Sequence, residues 1–178
     1  MKPSVSPILG TRTVRGAFLA ALLLGTGLAP AFAQQAVILV RHAEQALVGG
    51  MMDGDPPLTE DGTRRAQSLV GLLKDAGVSA IYASQYLRSR ETAAPLAQAL
   101  NLEVRTAPKD DLTALSERLR TEHGSDTVLI VAHSDTIPAL LKLWGHPTAA
   151  PVGKTEFNGL WFVVPRQGQA PIVSRLRL

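Results

Sequence analysis

Two apolar runs stand out along the chain, Val37-Ile38-Leu39-Val40 and Val128-Leu129-Ile130-Val131-Ala132, and each stops abruptly at or just before a histidine. Their branched residues and lack of polar alternation predict strands over 36–42 and 127–133, covered on both faces as in the middle of a parallel sheet. Elsewhere the period changes. Ala66, Leu69, Val70, Leu73 and Ala76 recur at helical spacing behind Thr59, a good N-cap, with Glu60 and Asp61 in the first turn and Gly77 as the stop. A short strand is expected at 81–84. A helix is expected over 89–100, where Pro95 implies either a kink or a later start. Another strand fits 102–106. Leu112, Leu115, Leu119 and His123 share a helical face that Gly124 breaks, and a further helix is expected over 136–144 with Pro138 in its first turn. Residues 159–164 and 172–176 read as late strands joined by a polar turn at 166–169, antiparallel at a sheet edge. The stretch holding Gly49, Gly50, Gly54, Pro56 and Pro57 predicts a surface loop beside a site. The alternation of strand and helix predicts a single-domain three-layer α/β/α sandwich, with a mostly parallel central sheet and an antiparallel edge.

The first 33 residues are expected to stand outside this domain. Lys2, Arg12 and Arg15 are the only charges there, Gly16 to Ala29 is apolar, and Ala31-Phe32-Ala33 has the small-x-small form of a cleavage site. That layout is a secretory signal peptide, with too short an apolar part for a good membrane span. Arg12 and Arg15 are not adjacent, so a twin-arginine signal is not expected. The functional domain is then 34–178, exported to the periplasm or secreted, with no membrane span after the leader. The leader's three bases account for the whole net charge of +3. The domain itself is neutral and gives no reason to expect nucleic acid as a partner. The chain has no cysteine, which excludes disulfides, thiol catalysis and thiolate metal sites. Nothing in the sequence sets the oligomeric state.

In an open α/β sheet, ligands bind beyond the carboxyl ends of the strands. Both strand-ending histidines, His42 and His133, are therefore expected at one rim. A neutral imidazole attacks phosphorus and divides a difficult hydrolysis into two easier steps. His42 is the candidate nucleophile, because a strand end holds a ring in fixed geometry. Arg41 beside it suits phosphate oxygens, which a guanidinium binds through two N–H groups. Arg88 and Arg90, just past the 81–84 strand, compete for a second such role. His133 is placed to donate to phosphate oxygens. His123 and His146 do not terminate apolar strands and are expected at the surface.

These segments resemble the histidine phosphatase superfamily, which includes phosphoglycerate mutases. Arg41-His42-Ala43-Glu44 is similar to its Arg-His-Gly-Glu or Arg-His-Ala-Glu signature, Leu58-Thr59-Glu60-Asp61-Gly62 to its Leu-Thr-x-x-Gly segment, and Ser84 to Ala93 to its Ser-x-x-x-Arg-Ala-x-x-Thr-Ala motif. Ala132-His133-Ser134 matches a late Gly-His-Ser or Ala-His-Gly motif. The four segments fall in the family's order. The resemblance implies a phosphoglycerate mutase-like fold, a phosphohistidine on His42, phosphoryl binding by Arg41, Arg88 and His133, and the choice of Arg88 over Arg90. It implies a small phosphorylated substrate and no cofactor or metal.

The family's usual asparagine after the first motif is replaced by Gln45, and the acid-bearing insertion of larger members is missing. Asp110, Asp111 and Asp135 remain as candidates for a general acid. The expected activity is metal-independent phosphomonoester hydrolysis. The alternatives are a phosphohistidine protein phosphatase and a non-catalytic phosphate or sugar-phosphate binding module on the same fold. A metal-dependent hydrolase using His42, Glu44, His133 and Asp135 is disfavoured, because Arg41 and Arg88 would repel the cation.

Overall fold

The chain was described from a computed structural model over residues 36–47, 54–147, 151–166 and 168–177. In chain order the elements are β1 (Ala36–Arg41), α1 (Glu60–Leu73), β2 (Val78–Ala83), α2 (Leu87–Leu100), β3 (Val104–Thr106), α3 (Leu112–Glu122), β4 (Thr127–Ala132), α4 (Thr136–Leu143), β5 (Gly159–Arg166) and β6 (Gln169–Arg177). The strands form one sheet in the order β3-β2-β4-β1-β5-β6. The two apolar runs are its middle: β1 and β4 pair in parallel from Ala36 opposite Thr127 to Arg41 opposite Ala132. β2 and β3 continue the parallel part, while β5 and β6 are antiparallel at the far edge. Leu69, Leu73, Ala93 and Leu96 of α1 and α2 cover one face, over Ile38, Val40, Ile81 and Leu129. Leu115, Leu119, Ile137 and Leu140 of α3 and α4 cover the other, over Val37, Leu39, Tyr82 and Ile130. This is the expected three-layer sandwich.

Several boundaries differ from expectation. Both central strands stop one residue short of their histidines, at Arg41 and Ala132, although His42 N–H still donates to Ala132 O at 2.9 Å. α1 ends at Leu73 rather than Gly77; Lys74 to Gly77 form a turn that closes with Gly77 at a φ of 71°. α2 begins at Leu87 and runs through Pro95, so the later start is not taken. Pro95 costs one helical bond, and packing of Ala93, Leu96 and Ala97 into the core outweighs it. β2 starts earlier, at Val78, with a register shift before Ala80. β3 keeps only three residues, and the late hairpin is longer than its apolar content suggested.

The expected signal peptide at 1–33 and the loop glycines Gly49 and Gly50 lie outside the described residues. Among the described residues, no helix is long and apolar enough to cross a membrane.

Candidate active site

The strand register brings the chemistry together. Arg41 of β1 lies opposite Ala132 of β4, and Ala83 of β2 lies opposite Val131, so all three strands deliver their next residues to one rim. His42 and His133 meet there with ring centroids 5.0 Å apart, edge to face. Both are buried, each 5% exposed. They line a cavity of about 310 Å³ with Arg41, Arg88, Gln45, Gly54, Lys109, Ser134 and Asp135. A larger cavity, about 630 Å³, lies away from this rim between α3 and the β5–β6 hairpin, and its described lining holds no histidine or carboxylate.

His42 has a defined tautomer. Its Nδ1 lies 2.8 Å from the carbonyl of Ala43, which accepts only, so Nδ1 carries the proton and Nε2 keeps its lone pair. Nε2 faces the cavity, 3.4 Å from Nε of Arg88. Burial, with the charges of Arg88 and Arg41 adding to it, pushes the His42 pKa down to about 4. The ring is therefore neutral at ordinary pH, as a nucleophile requires. His133 is pushed down to about 3, first by burial and then by His42, Arg88 and Lys109. Its Nε2 lies 2.8 Å from Ser84 Oγ, which in turn donates to Ser89 Oγ at 2.8 Å.

Arg41 is held from behind. Its Nη1 donates to the carbonyls of Gly153, Lys154 and Glu156 at 2.9, 2.9 and 3.0 Å, and its guanidinium carbon lies 3.9 Å from the ring centre of Phe157. Glu156 is itself paired with Arg175 of β6, which ties this loop to the sheet edge. The buried Nε of Arg41 has no partner among the described residues. Arg88 comes from the first turn of α2. It lies 4.2 Å over the Tyr86 ring and 3.6 Å from Asp55. Arg90, two residues on, is exposed.

The loop after β1 is braced by the remaining motif residues. Ala43 N–H donates to Thr92 Oγ1 of α2 at 2.9 Å. Glu44 faces Arg65 of α1 through both carboxylate oxygens, at 2.6 to 3.0 Å, and this partner holds its carboxyl below the ordinary range. Thr59 caps α1 by accepting from Gly62 N–H at 3.0 Å. Gly62 leaves room for the Glu44 carbonyl, since a Cβ there would stand 2.2 Å from that oxygen. The Leu-Thr-x-x-Gly pattern thus seats α1 against the loop that carries the histidine.

The weaker candidates separate. Asp135 lines the cavity, but its carboxylate is 3.0 Å from Lys109 Nζ; burial raises its pKa, and the hydrogen bonds from Lys109 and the backbone together with nearby positive charge bring it below the ordinary value. It is ionised at neutral pH and holds no proton to give. Asp111 is an exposed N-cap that accepts from Ala114 N–H, and Asp110 is exposed and lines no part of the cavity. Glu44 is turned to Arg65, so the four donors of the metal reading do not converge; among the described residues no three such groups are placed to hold a metal ion. The surface expectation for His123 is overturned, because it is the buried C-cap residue of α3. His146 is half-buried rather than exposed.

Lys109, Tyr86, Phe157 and Ser84 were not singled out from sequence as site residues. The strand-end rule contained a signal for three of them. Ser84 and Lys109 follow β2 and β3, and Phe157 precedes β5, whose antiparallel start lies at the same rim.

The histidine phosphatase superfamily (branch 1) profile matches residues 37–112, from β1 to the start of α3. Among curated proteins none matches the chain by sequence. Solved structures match over most of the domain. A protein histidine phosphatase, SixA, complexed with tungstate is 21% identical with a TM-score of 0.65, covering 80% of this chain and 96% of that one. A mycobacterial glucosyl-3-phosphoglycerate phosphatase is 16% identical with a TM-score of 0.62, covering 80% and 97%. A phosphoserine phosphatase from Entamoeba histolytica in complex with phosphoserine is 16% identical with a TM-score of 0.59, covering 79% and 95%. At these identities the likeness is one of fold.

Proposed function

We propose that this chain, whose residues 37–112 match the histidine phosphatase superfamily (branch 1), is a member of that superfamily and hydrolyses phosphomonoesters through a phosphohistidine formed at Nε2 of His42, without a metal ion. One observation carries the reading. A buried imidazole has its Nδ1 proton committed to a backbone carbonyl, and its Nε2 lone pair, which accepts only a long bond from Arg88 Nε at 3.4 Å, lies at a cavity walled by Arg88 and His133.

The steps follow from that geometry. A phosphoryl group entering the cavity brings negative charge to Arg88, Arg41 and His133. Nε2 attacks phosphorus, the bond to the ester oxygen breaks, and that oxygen leaves with a proton from solvent or from the substrate itself. The guanidinium groups hold the equatorial oxygens throughout, where fixed positive charge is most effective. Water then attacks the phosphorus, the N–P bond breaks, and His42 recovers its lone pair as inorganic phosphate departs. Two guanidinium groups in the cavity supply the cationic role that a metal plays in other phosphatases, and they repel a divalent ion.

Export belongs to the same proposal, on the strength of the leader pattern at 1–33. Turnover of para-nitrophenyl phosphate in EDTA, with acid quenching to trap an acid-labile phosphoenzyme, tests the activity. Full activity with a trapped intermediate is expected. Activity that returns only with added metal sinks the mechanism, and tight phosphate binding without turnover indicates a binding module.

A further inference from the structure

The turn behind Arg41 is built by two charged side chains, Glu156 and Arg175, that do not line the cavity. Residues 153–156 close with Glu156 N–H donating to Gly153 O at 3.0 Å, and the Glu156 carboxylate returns through Oε2 to accept from Gly153 N–H at 3.3 Å. The closed turn points three carbonyls, of Gly153, Lys154 and Glu156, at Arg41 Nη1. That nitrogen has two hydrogens for three acceptors, so it is fully committed to the backbone. Nη2 is then the end of the guanidinium left to meet phosphoryl oxygens in the cavity that Arg41 lines. The turn sets its direction.

Glu156 has a second partner. Its other oxygen, Oε1, accepts from Arg175 Nη2. Arg175 stands on a rigid platform. It lies opposite Trp161 in the β5–β6 ladder, and its guanidinium carbon is 4.7 Å from the ring centre of that buried tryptophan. The pair is mostly covered, with side chains 28% and 19% exposed, so water screens it less than an ordinary surface pair. Arg175 thus acts on Arg41 in two ways. It holds the Glu156 side chain across the turn, which keeps the three carbonyls aimed. It also balances a carboxylate whose charge is felt at Arg41 and which, unpaired, would compete with a phosphoryl group for it.

We propose that Arg175 is a positioning residue for phosphoryl transfer, acting through Glu156 on Arg41 and touching neither substrate nor the reacting atoms. This rests on the phosphomonoesterase reading above.

A mutant cycle with Arg41 tests it, read in kcat/KM for para-nitrophenyl phosphate and in the Kd of inorganic phosphate by calorimetry. R41M alone should lower kcat/KM by about 10²–10³-fold. R175M should lower it by about tenfold to a hundredfold, the cost of a misplaced catalytic group. R175K, which keeps a charge beside Glu156, should recover all but about threefold. In the R41M background, R175M should change kcat/KM by no more than about twofold, because the group it positions is gone. Phosphate affinity should follow the same pattern with smaller factors. General damage to the fold would lower both backgrounds by one factor, and that result overturns the proposal, as does R175M with wild-type kcat/KM. Wild type without turnover removes the phosphatase reading, and the same cycle in phosphate affinity then decides the role of Arg175.

Discussion

The chain buries imidazoles in two polar clusters, and their difference separates chemistry from structure. His42, His133 and His123 are each 5% exposed, so burial does not distinguish them. Hydrogen bonding does. In the second cluster His123 Nδ1 lies 2.6 Å from Asp126 Oδ2, and its Nε2 lies 3.0 Å from Tyr82 OH and 3.2 Å from Arg105 Nη1. Both nitrogens are taken, and the ring ties the end of α3 to β2. At the rim, His42 bonds a backbone carbonyl through Nδ1 and accepts only a long bond from Arg88 through Nε2, and among the described residues no carboxylate is bonded to either rim imidazole. A buried histidine whose second nitrogen has only a long bond to an arginine is held at a cost in solvation that an incoming ligand relieves.

The largest effect that could break this comparison is on turnover. H42A should lower activity by at least about 10⁴-fold and abolish the trapped phosphoenzyme, because it removes the proposed nucleophile. H123A should leave kcat/KM per folded molecule within about twofold while lowering stability by about 2 kcal/mol, since it strips partners from buried Tyr82 and from Asp126. Comparable losses of turnover in the two variants would show that the second cluster is not merely structural. Next in size is the arginine pair. R88A should lower kcat/KM by about 10²–10³-fold, as for removal of a donor to developing charge, and R90A by no more than about twofold. Equal losses would mean that the exposed Arg90 turns inward when substrate binds.

How much of this was legible beforehand follows from range. The central strands, the Thr59 cap and the antiparallel edge depend on local pattern and were readable from it. The placement of His42 and His133 was readable because strand ends in a parallel sheet share a rim, whereas the choice of Arg88 over Arg90 came only from the resemblance to the family's motif. His123 was misread for the opposite reason. Its partner Asp126 is three residues away, but Tyr82 and Arg105 come from β2 and β3, and no local pattern reveals a bond across the sheet layer. Lys109 was missed because β3 is short and partly exposed, so its end did not register as part of the rim. The general acid stayed open because carboxylates near helix starts have a local reason to exist. Asp111 does cap its helix, while Asp135 does not, and only the fold separates the two.

The smallest effect concerns pH and stability. His42 and His133 are held at about 4 and about 3, below the ordinary 6.5. The unfolded chain therefore binds more protons than the native one once the pH drops toward 6.5 and below. Stability contributed by these neutral rings is complete above about pH 6.5 and is lost progressively as the pH falls toward 4, at up to about 1.4 kcal/mol per pH unit for each ring. The lowered carboxyls of Glu44 and Asp135 act in the same direction, but below their ordinary values of 4.5 and 3.8, so the interval from 6.5 to 5 isolates the histidines. Urea midpoints at pH 7.5, 6 and 5 should fall in wild type and fall less in a double variant with asparagine at 42 and 133. Phosphate should flatten the wild-type dependence as well, because a bound anion favours protonated His133 and lifts its native pKa. A dependence as steep in the double variant as in wild type would place the acid-sensitive groups elsewhere and remove the claim that the rim histidines are held neutral for a ligand.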